Sequence, residues 1–350
     1  MAVRKKKDAA KSSGAGPFGL PLDFAPMESR AATDLPEGDE WWFEPKWDGF
    51  RCLVFKEGHD VDLRAKSGKP LGRYFPEVVE LVSNLSIPRC VIDGELVIEI
   101  DGHLDFEALQ LRLHPAESRV KKLAAQTPAR IILFDMLLSP DGESLVDAPL
   151  SKRRKALEKL VAKLKTPSLS LSPGTRDRDE ALEWLSQAGA GATDGVVAKQ
   201  WSGPYVSGER AMVKVKRLRT ADCVVGGFRY ASNSKEVGSL LLGLYNDEGK
   251  LDHIGFTSTI SDAERPALTK QLEKLRKAPG FTGNAPGGPS RWSTERSTQW
   301  EPLAPKLVVE VRYDHVSGGR LRHGAKLMRW RPDKAPKQCT YEQIAPLRKA

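Results

Sequence analysis

The stretch FEPKWDGFR, residues 43–51, decides how the rest of the chain is interpreted. Within it, Lys46 stands two residues before an Asp-Gly pair, and the apolar run RCLVF at 51–55 follows. Such a run predicts a strand, and Asp-Gly favours a tight turn. Lys-x-Asp-Gly is a weak motif by itself, because a surface turn beside a hairpin can contain the same residues. Its meaning therefore depends on the motifs around it.

Five further short motifs follow in order, each on a predicted strand or at the end of one. They are RAKSG (64–68), DGE (93–95), FDM (134–136), DGVVAK (194–199) and KVK (214–216). Six such elements would rarely occur in one order by chance. Lys46 is therefore interpreted as the reactive residue of a site that the other motifs complete.

The chemistry of these residue types indicates attack on a nucleoside triphosphate. A lysine amine is a nucleophile only when it is deprotonated, which burial and cationic neighbours favour. Lys214 and Lys216 are two residues apart on a predicted strand, so they face the same side and would supply such neighbours. Glu95 and Asp194 are hard oxygen ligands suited to Mg²⁺. Because the chain contains neither GxxxxGK[ST] nor GxGxxG, a different mode of nucleotide binding is expected.

The composition of the 350 residues excludes several classes of protein. Hydrophobic residues make up 40% and charged residues 29%, which is typical of globular proteins. No apolar run approaches the roughly 18 residues of a membrane span, and the basic N-terminus lacks the apolar segment of a secretory signal. The four cysteines lie far apart without a CxxC pattern. This argues against a disulfide framework or a zinc ribbon and fits a reducing cytoplasm.

The positive charge is concentrated in two segments. The chain has a net charge of +9, so an acidic partner is expected, with nucleic acid the first candidate. Residues 219–350 hold 22 Lys and Arg against 14 Asp and Glu, a net of +8, and residues 1–15 have a net of +4. The body between them, residues 16–218, is near −3. An accidental partition on an ordinary surface is the alternative interpretation.

Periodicity divides the chain into three segments. Residues 1–16 lack periodicity and are predicted to be a disordered basic tail. Residues 17–218 alternate strand patterns with amphipathic helices, such as SKRRKALEKLVAKL at 151–164, whose KRRK run is predicted to be a solvated face. Residues 219–350 contain short, Gly-punctuated strand patterns and one helix, which suits a small Greek-key barrel of the OB type.

The ordered motifs resemble those of the covalent nucleotidyltransferase superfamily, which includes ATP-dependent DNA ligases, RNA ligases and mRNA capping enzymes. The likeness is closest to the bacterial ligases of the ligase C type and the ligase domain of ligase D, and it runs from about residue 18 to residue 340. GGRLRHG at 318–324 and RWRPDK at 329–334 are similar to the C-terminal end of that group. The resemblance implies an α+β fold, in which an adenylation domain of antiparallel sheets with flanking helices precedes an OB-fold β-barrel.

The resemblance also implies a role for each matching residue. Lys46 matches the adenylated lysine, and Glu95 and Asp194 match metal ligands. Asp194 departs from the family pattern, which commonly has glutamate there, so its carboxylate reaches less far by one methylene. The residues that match nucleotide contacts are Glu44 at the adenine, Phe134 and Val196 on the two faces of the base, Glu95 at the ribose and metal, and the basic residues Arg51, Arg64, Lys214, Lys216, Arg331 and Lys334.

The implied activity is an ATP-dependent DNA ligase that seals nicks through a lysyl-AMP intermediate and a DNA adenylate, in DNA repair. ATP and Mg²⁺ are the implied cofactors, with Mn²⁺ as an alternative metal. The implied partners are nicked duplex DNA and repair polymerases or end-binding proteins. The protein is expected to be a cytoplasmic monomer without a membrane association. Three alternatives stay open: an RNA ligase, a capping-type guanylyltransferase that uses the same lysine with GTP, and an inactive nucleic-acid-binding relative.

Overall fold

The computed structural model describes residues 16–189, 193–287 and 299–344. The chain divides into two units, Met1–Val215 and Lys216–Ala350. The boundary predicted from the sequence, after residue 218, lies close to this division. The predicted basic tail, residues 1–16, lies outside the described residues except for Gly16.

The first unit is built from two sheets and the helices that flank them. Its strands are β1 (Ser29–Ala32), β2 (Trp41–Trp47), β3 (Phe50–Glu57), β4 (Asp60–Ala65), β5 (Arg89–Ile100), β6 (His103–Leu104), β7 (Ala129–Leu138), β8 (Leu169–Leu171), β9 (Thr193–Gln200) and β10 (Met212–Lys216). Its helices are α1 (Pro76–Ser83), α2 (Phe106–Leu111), α3 (Glu117–Gln126), α4 (Leu150–Leu164) and α5 (Arg178–Gln187), with a 3₁₀ turn at Gly72–Tyr74. Most of the motifs quoted above therefore lie on strands or at strand ends.

The strand order shows how the motifs come together. One sheet has the order β4-β3-β5-β7-β8, with β6 paired to the end of β5. Its neighbours are antiparallel except for β7 and β8. The other sheet has the order β1-β10-β9-β2, in which β2 and β9 are antiparallel and β1 and β10 are parallel. In the β3–β4 hairpin, Gly58 takes a φ of 57°, a conformation that glycine adopts without a steric cost.

Apolar side chains pack on both faces of the first sheet and on one face of the second. The larger cluster joins the first sheet to α1 and α4, through residues such as Val78 and Leu157. The smaller cluster joins the second sheet to α5 and contains Phe43, Ala181 and Val196. Since side chains alternate across a strand, the opposite face of β2 and β9 is left for polar side chains.

The second unit is a small barrel with one helix. Its strands are β11 (Arg219–Tyr230), β12 (Val237–Tyr245), β13 (Leu251–Thr257), β14 (Glu301–Pro302), β15 (Val308–Tyr313), β16 (Val316–Ser317), β17 (Arg320–Leu321) and β18 (Lys326–Trp330). Its helix is α6 (Arg265–Lys274), and 3₁₀ turns span Pro336–Gln338 and Tyr341–Gln343. In the part of the chain that the structure describes, no helix has the length and apolar character needed to cross a membrane.

The sheet of the second unit closes on itself. Its strand order is β13-β12-β11-β15-β18, with antiparallel neighbours throughout and β14 paired to β11. A parallel bridge between Thr257, at the end of β13, and Ala325, just before β18, joins the two edge strands. Closure removes the exposed strand edges, as an OB-type barrel requires. The α+β fold predicted from the sequence is confirmed.

The four cysteines, all within the described residues, are free and fully buried. Cys52 and Cys90 lie in the core of the first unit, and Cys223 and Cys339 lie in that of the second. Burial raises the pKa of each thiol, to about 12 for Cys90 and about 11 for Cys339. All four therefore act as apolar core residues.

Candidate active site

A pocket of about 200 Å³ in the first unit collects half of the predicted site residues. Both sheets contribute to its wall, because β2, β9 and β10 belong to one and β3, β5 and β7 to the other. The predicted residues in the wall are Glu44, Lys46, Arg51, Glu95, Phe134 and Lys214. The wall also contains Glu28, Ser29, Pro45, Trp47, Lys66, Val197, Lys199 and Met212, to which no role was assigned from the sequence.

A β-bulge places the predicted carboxylate beside the predicted nucleophile. Lys46 on β2 lies opposite Gly195 on β9, whereas the next residue, Trp47, lies opposite Thr193. Asp194 is therefore the extra residue of a bulge, which turns its side chain away from the regular alternation. Lys46 Nζ lies 2.9 Å from Asp194 Oδ1. The amine thus has a buried carboxylate at hydrogen-bonding distance that can accept its proton.

Glu44 lies two residues before Lys46, on the same face of β2, and it is 3% exposed. Two hydrogen-bond donors and one more distant guanidinium, from three elements, converge on its carboxylate. Trp42 Nε1 donates to Oε1 at 2.8 Å, Lys199 Nζ lies 2.8 Å from Oε2, and Arg154 Nη1 lies 3.6 Å from Oε1. Burying a carboxylate is costly unless it is paired, so this set of donors is what holds Glu44 in the pocket.

The apolar wall of the pocket differs from the prediction at one position. Phe134 lines the pocket as expected. Val196 is fully buried in the apolar cluster of the second sheet, on the opposite face of β9, and its neighbour Val197 lines the pocket instead. The assignment of Val196 to the pocket is therefore corrected to Val197. The reason is the bulge at Asp194, because it shifts by one residue the set of β9 side chains that face Lys46.

Arg51 is held at the pocket by a buried carboxylate. Its Nε and Nη2 atoms donate to the two oxygens of Asp93 at 2.8 and 2.5 Å, and Asp93 is fully buried on β5. The hydroxyl of Tyr205 donates to the same carboxylate at 2.6 Å. The guanidinium carbon lies 5.2 Å from the centroid of the Phe134 ring. A bidentate pair of this kind fixes both the position and the orientation of the cation.

Glu95 and Asp194 are the two carboxylates predicted from the sequence to bind a metal. Burial raises the pKa of Glu95 to about 8, although Lys46 and Arg51 act to lower it. A buried carboxyl whose charged form is so disfavoured would be stabilised by a bound cation. Within the described residues, no group of three or more His, Cys, Asp or Glu is arranged to hold a metal ion. Two carboxylates still fit Mg²⁺, which commonly takes one or two from the protein and its other ligands from phosphates and water.

Lys66, rather than Arg64, brings a positive charge to the pocket. The Arg64 guanidinium donates to Asp62 at 2.6 and 2.9 Å and to the carbonyl of Gly68 at 3.2 Å, and it does not line the pocket. Lys66 lines the pocket, with Nζ 3.1 Å from Glu28. The assignment of Arg64 is corrected accordingly. The strand alternation could not separate the two, because β4 ends between them.

Lys216 belongs to the second unit, at the end of β10. Its Nζ lies 2.8 Å from Asp314 Oδ2, and His323 lies 3.1 Å from the other oxygen of that carboxylate. Burial alone would raise the pKa of Asp314, but hydrogen bonds from Lys216 and His323 lower it to about 2. Asp314 is therefore a strong partner for Lys216, and the predicted contact of Lys216 with a nucleotide stays a prediction.

Arg331 and Lys334 also belong to the second unit, where they share a carboxylate. Arg331 Nη1 lies 2.9 Å from Asp222, and Lys334 Nζ lies 3.3 Å from the same side chain. Asp333 binds the other side of the Arg331 guanidinium at 2.8 Å. These partners orient both cations, and their predicted contact with the nucleotide stays a prediction.

The KRRK run at 152–155 is only partly solvated, contrary to the expectation from its charge. Its outer lysines are exposed, but Arg153 is 1% and Arg154 4% exposed. Arg153 binds Asp135 through two bonds of 2.7 and 3.1 Å, and Arg154 reaches Glu44. The signal that could have found them is helical spacing, because both fall on the same stripe of α4 as its buried leucines.

The fold and the pocket together define a nucleotidyltransferase, in which a lysine between two sheets faces a base-sized apolar wall. A family model described as the ATP dependent DNA ligase domain matches residues 26–216, and one described as the ATP dependent DNA ligase C terminal region matches residues 233–334. The chain belongs to the ATP-dependent DNA ligase family. The resemblance, the enzyme class and the ATP-dependent DNA ligase activity predicted from the sequence are thereby confirmed.

Named relatives support this family membership over most of the chain. DNA ligase C2 of Mycolicibacterium smegmatis is 43% identical over 335 residues, covering 91% of this chain and 94% of that protein. DNA ligase C of Mycobacterium tuberculosis is 41% identical over 336 residues, covering 91% and 93%. A solved structure of a Lig E DNA ligase has a TM-score of 0.55 at 18% identity, covers 87% of this chain and 99% of that chain, and supports the fold alone.

Proposed function

We propose that Lys46 takes AMP from ATP and that the protein uses this AMP to seal nicks in duplex DNA. The observation that carries the proposal is the Lys46–Asp194 pair, 2.9 Å apart, at the pocket that Glu44 also lines. Together these residues supply a nucleophile, a proton acceptor and a group for recognising the base.

The spacing along β2 supports this orientation of ATP. Residues two apart on a strand are about 7 Å apart, which is close to the separation of base and α-phosphate in a nucleotide. With adenine between Phe134 and Val197, beside Glu44, the α-phosphorus comes within reach of Lys46. The basic side chains at the phosphate end are Arg51, Lys66 and Lys214.

Charge stabilisation at the phosphates supports a role for both the cations and Mg²⁺. Negative charge develops on the phosphate oxygens as the nucleotide is transferred, and fixed cations stabilise it. We propose that Glu95 holds Mg²⁺, or Mn²⁺ in its place, and that Asp194 is left to accept the proton of Lys46. When bound, the metal would supply additional positive charge at the phosphates. Every other contribution comes from the side chains of the pocket.

Replacing Lys66 with methionine should slow nucleotide attachment to Lys46 by about 100-fold, because a fixed cation beside the phosphates is lost. The matched control is Arg64→Met, which removes a cation of the same motif that lies outside the pocket. The measurement is the single-turnover rate of label transfer from α-labelled ATP. Equal slowing in both variants would contradict the assignment of Lys66.

The proposed reaction has three balanced steps. In the first, Lys46 Nζ forms a bond to the α-phosphorus, the bond to the β-phosphate oxygen breaks, pyrophosphate leaves, and Asp194 accepts the proton of the amine. In the second, an oxygen of the 5′-phosphate at a nick attacks the same phosphorus, and the lysine leaves with a proton. In the third, the 3′-hydroxyl attacks the activated 5′-phosphate, its proton passes to solvent water, and AMP leaves. The free energy released by cleavage of one ATP anhydride bond thus drives formation of the new phosphodiester bond.

The charge distribution supports duplex DNA as the second substrate. We propose that residues 17–218 form the adenylation domain and that residues 219–350, with a net charge of +8, form an OB-fold domain that neutralises DNA phosphates together with the basic tail. Such contacts release counterions and make binding strongly dependent on salt. A role in DNA repair, as a monomer beside repair polymerases or end-binding proteins, is proposed with it. The four buried, free cysteines support a cytoplasmic location.

The test is a two-stage assay with the purified full chain. Incubation with α-labelled ATP and Mg²⁺ should give a covalent adduct that is stable to alkali and labile to acid, as a lysine phosphoramidate is, and nicked duplex DNA should then discharge the label and be sealed. No adduct with any nucleotide would indicate an inactive relative. Labelling by GTP in preference to ATP would indicate a guanylyltransferase, and sealing of nicked RNA without nicked DNA would indicate an RNA ligase. Each of these results would overturn the proposal.

A further inference from the structure

The indole that donates to Glu44 is itself immobilised. Trp42 stacks on Trp201, with ring centroids 4.9 Å apart, and the Arg154 guanidinium carbon lies 5.2 Å from the centroid of the Trp42 ring. Gly174 lies against the indole so closely that a Cβ there would come within 2.2 Å of a ring carbon. Because the indole is held on several sides, its Nε1–H group points in one direction. That direction is toward Glu44.

Lys199 is equally constrained. It is 3% exposed, although it is a lysine near the end of a strand. Its Nζ pairs with Glu44 at 2.8 Å, donates to the carbonyl of Phe134 at 3.3 Å, and lies 4.7 Å from the centroid of the Phe134 ring. These three contacts account for the three N–H bonds of an ammonium group. Lys199 therefore links Glu44 to the aromatic wall of the pocket.

We propose that Trp42, Arg154 and Lys199 are positioning residues that fix Glu44 as an acceptor for the amino group at position 6 of a purine. The pocket would thereby select adenine over purines that carry an oxygen at that position. This inference rests on the proposed function, because it assumes that the base of the nucleoside triphosphate lies against Phe134.

The selectivity of the pocket depends on which hydrogen-bonding groups Glu44 can still offer. An ionised carboxylate has about four acceptor sites, and the hydrogen bonds from Trp42 and Lys199 leave room for a further donor. Adenine presents an amino donor at position 6, whereas guanine and hypoxanthine present a carbonyl acceptor there. A fixed acceptor forms a hydrogen bond with the amino group of adenine and repels the carbonyl oxygen of the other two bases. A site built around such a hydrogen bond rejects the wrong partner far more strongly than an apolar pocket does.

The test compares ATP with ITP, whose base differs from adenine at position 6 by an oxygen in place of the amine. Initial rates of adduct formation on the full chain give KM and kcat for each nucleotide. The unaltered protein should prefer ATP by about 100-fold or more in kcat/KM. Lys199→Met should reduce this preference at least about tenfold, mainly through the KM for ATP, since its loss removes a charged partner of a buried acceptor. Lys199→Arg should restore part of it.

Two further variants keep the test independent of folding. Trp42→Phe removes the Nε1 donor but retains an aromatic ring in the stack, so it should lower the ATP preference even if Lys199→Met is unstable. Lys155→Met, on the exposed side of the same helix as Arg154, is the matched control and should change nothing. Equal loss of ATP and ITP labelling in the Lys199 and Trp42 variants would overturn the inference, because it would indicate a purely structural role. If the unaltered protein takes no label from ATP, the proposed function fails first.

Discussion

Replacing Lys46 with arginine should abolish the covalent nucleotide adduct while leaving the first unit folded. Arginine retains a positive charge beside Asp194, so the buried carboxylate keeps a partner. A guanidinium cannot be deprotonated in a protein and so cannot act as the nucleophile. Adduct formation should fall by on the order of 10⁴-fold or more, as it does when other enzymes lose a covalent nucleophile. The measurement is label transfer from α-labelled ATP, with circular dichroism as the check on folding.

The same variant distinguishes the first step from the last. Sealing of a nick whose 5′-phosphate already carries AMP does not require a nucleophilic lysine, because the 3′-hydroxyl attacks the phosphate directly. Lys46→Arg should therefore still seal such a pre-adenylated nick, while it fails on ATP and an ordinary nick. An adduct of unchanged yield in Lys46→Arg would show that another residue carries the nucleotide.

Replacing Arg153 with methionine should lower the free energy of unfolding of the first unit by about 3–5 kcal/mol. Arg153 and Asp135 are each 1% exposed, and Arg153 also donates to the carbonyls of Ala148 and Gly203 at 2.7 and 3.0 Å. Without the guanidinium, Asp135 remains buried as an uncompensated charge beside Phe134. The measurement is urea denaturation followed by tryptophan fluorescence, because five of the eight tryptophans lie in the first unit.

The control for this change lies one residue away. Lys152→Met removes an exposed cation from the same helix, and its pair with Glu143 lies at the surface, so stability should change little. Adding Asp135→Asn to Arg153→Met removes the buried charge and should recover part of the loss. A loss no larger in Arg153→Met than in Lys152→Met would contradict the view that this buried pair supports the site.

The motif order was enough to predict that several of the motif residues would lie close together. Lys46, Glu44 and Phe134 line one pocket because each motif lies on a strand, and strands keep short motifs in a fixed orientation. The change of periodicity near residue 218 predicted a division of the chain close to the one observed. The α+β fold was implied by the resemblance of the motifs.

The errors have a physical cause in backbone irregularity. If Asp194 faces the nucleophile and β9 alternates regularly, then Val196 faces the pocket as well. The bulge breaks that alternation, and Val197 takes the position. The bulge depends on the pairing of β9 with a strand that is distant in the sequence, so no local sequence pattern predicts it. Arg64 was assigned to the site in place of Lys66 for a similar reason, because β4 ends between the two residues.

Buried charge is the other property that sequence patterns conceal. Arg153, Arg154 and Lys199 each look like solvent-exposed residues by type, and each is less than 5% exposed. Their burial becomes favourable only when Asp135 or Glu44 arrives from another element to neutralise them. Helical spacing predicts which side chains of α4 are buried, but it does not show which carboxylates of other elements pair with them.

The buried thiols make the natural chain a ready background for site-specific chemistry. Maleimides and related reagents react with thiolates, and the raised pKa of all four cysteines keeps them protonated and out of reach. One surface cysteine introduced into each unit would therefore accept a fluorophore without the removal of any native residue. Energy transfer between two such dyes would follow the separation of the units through every turnover, with the active site unaltered.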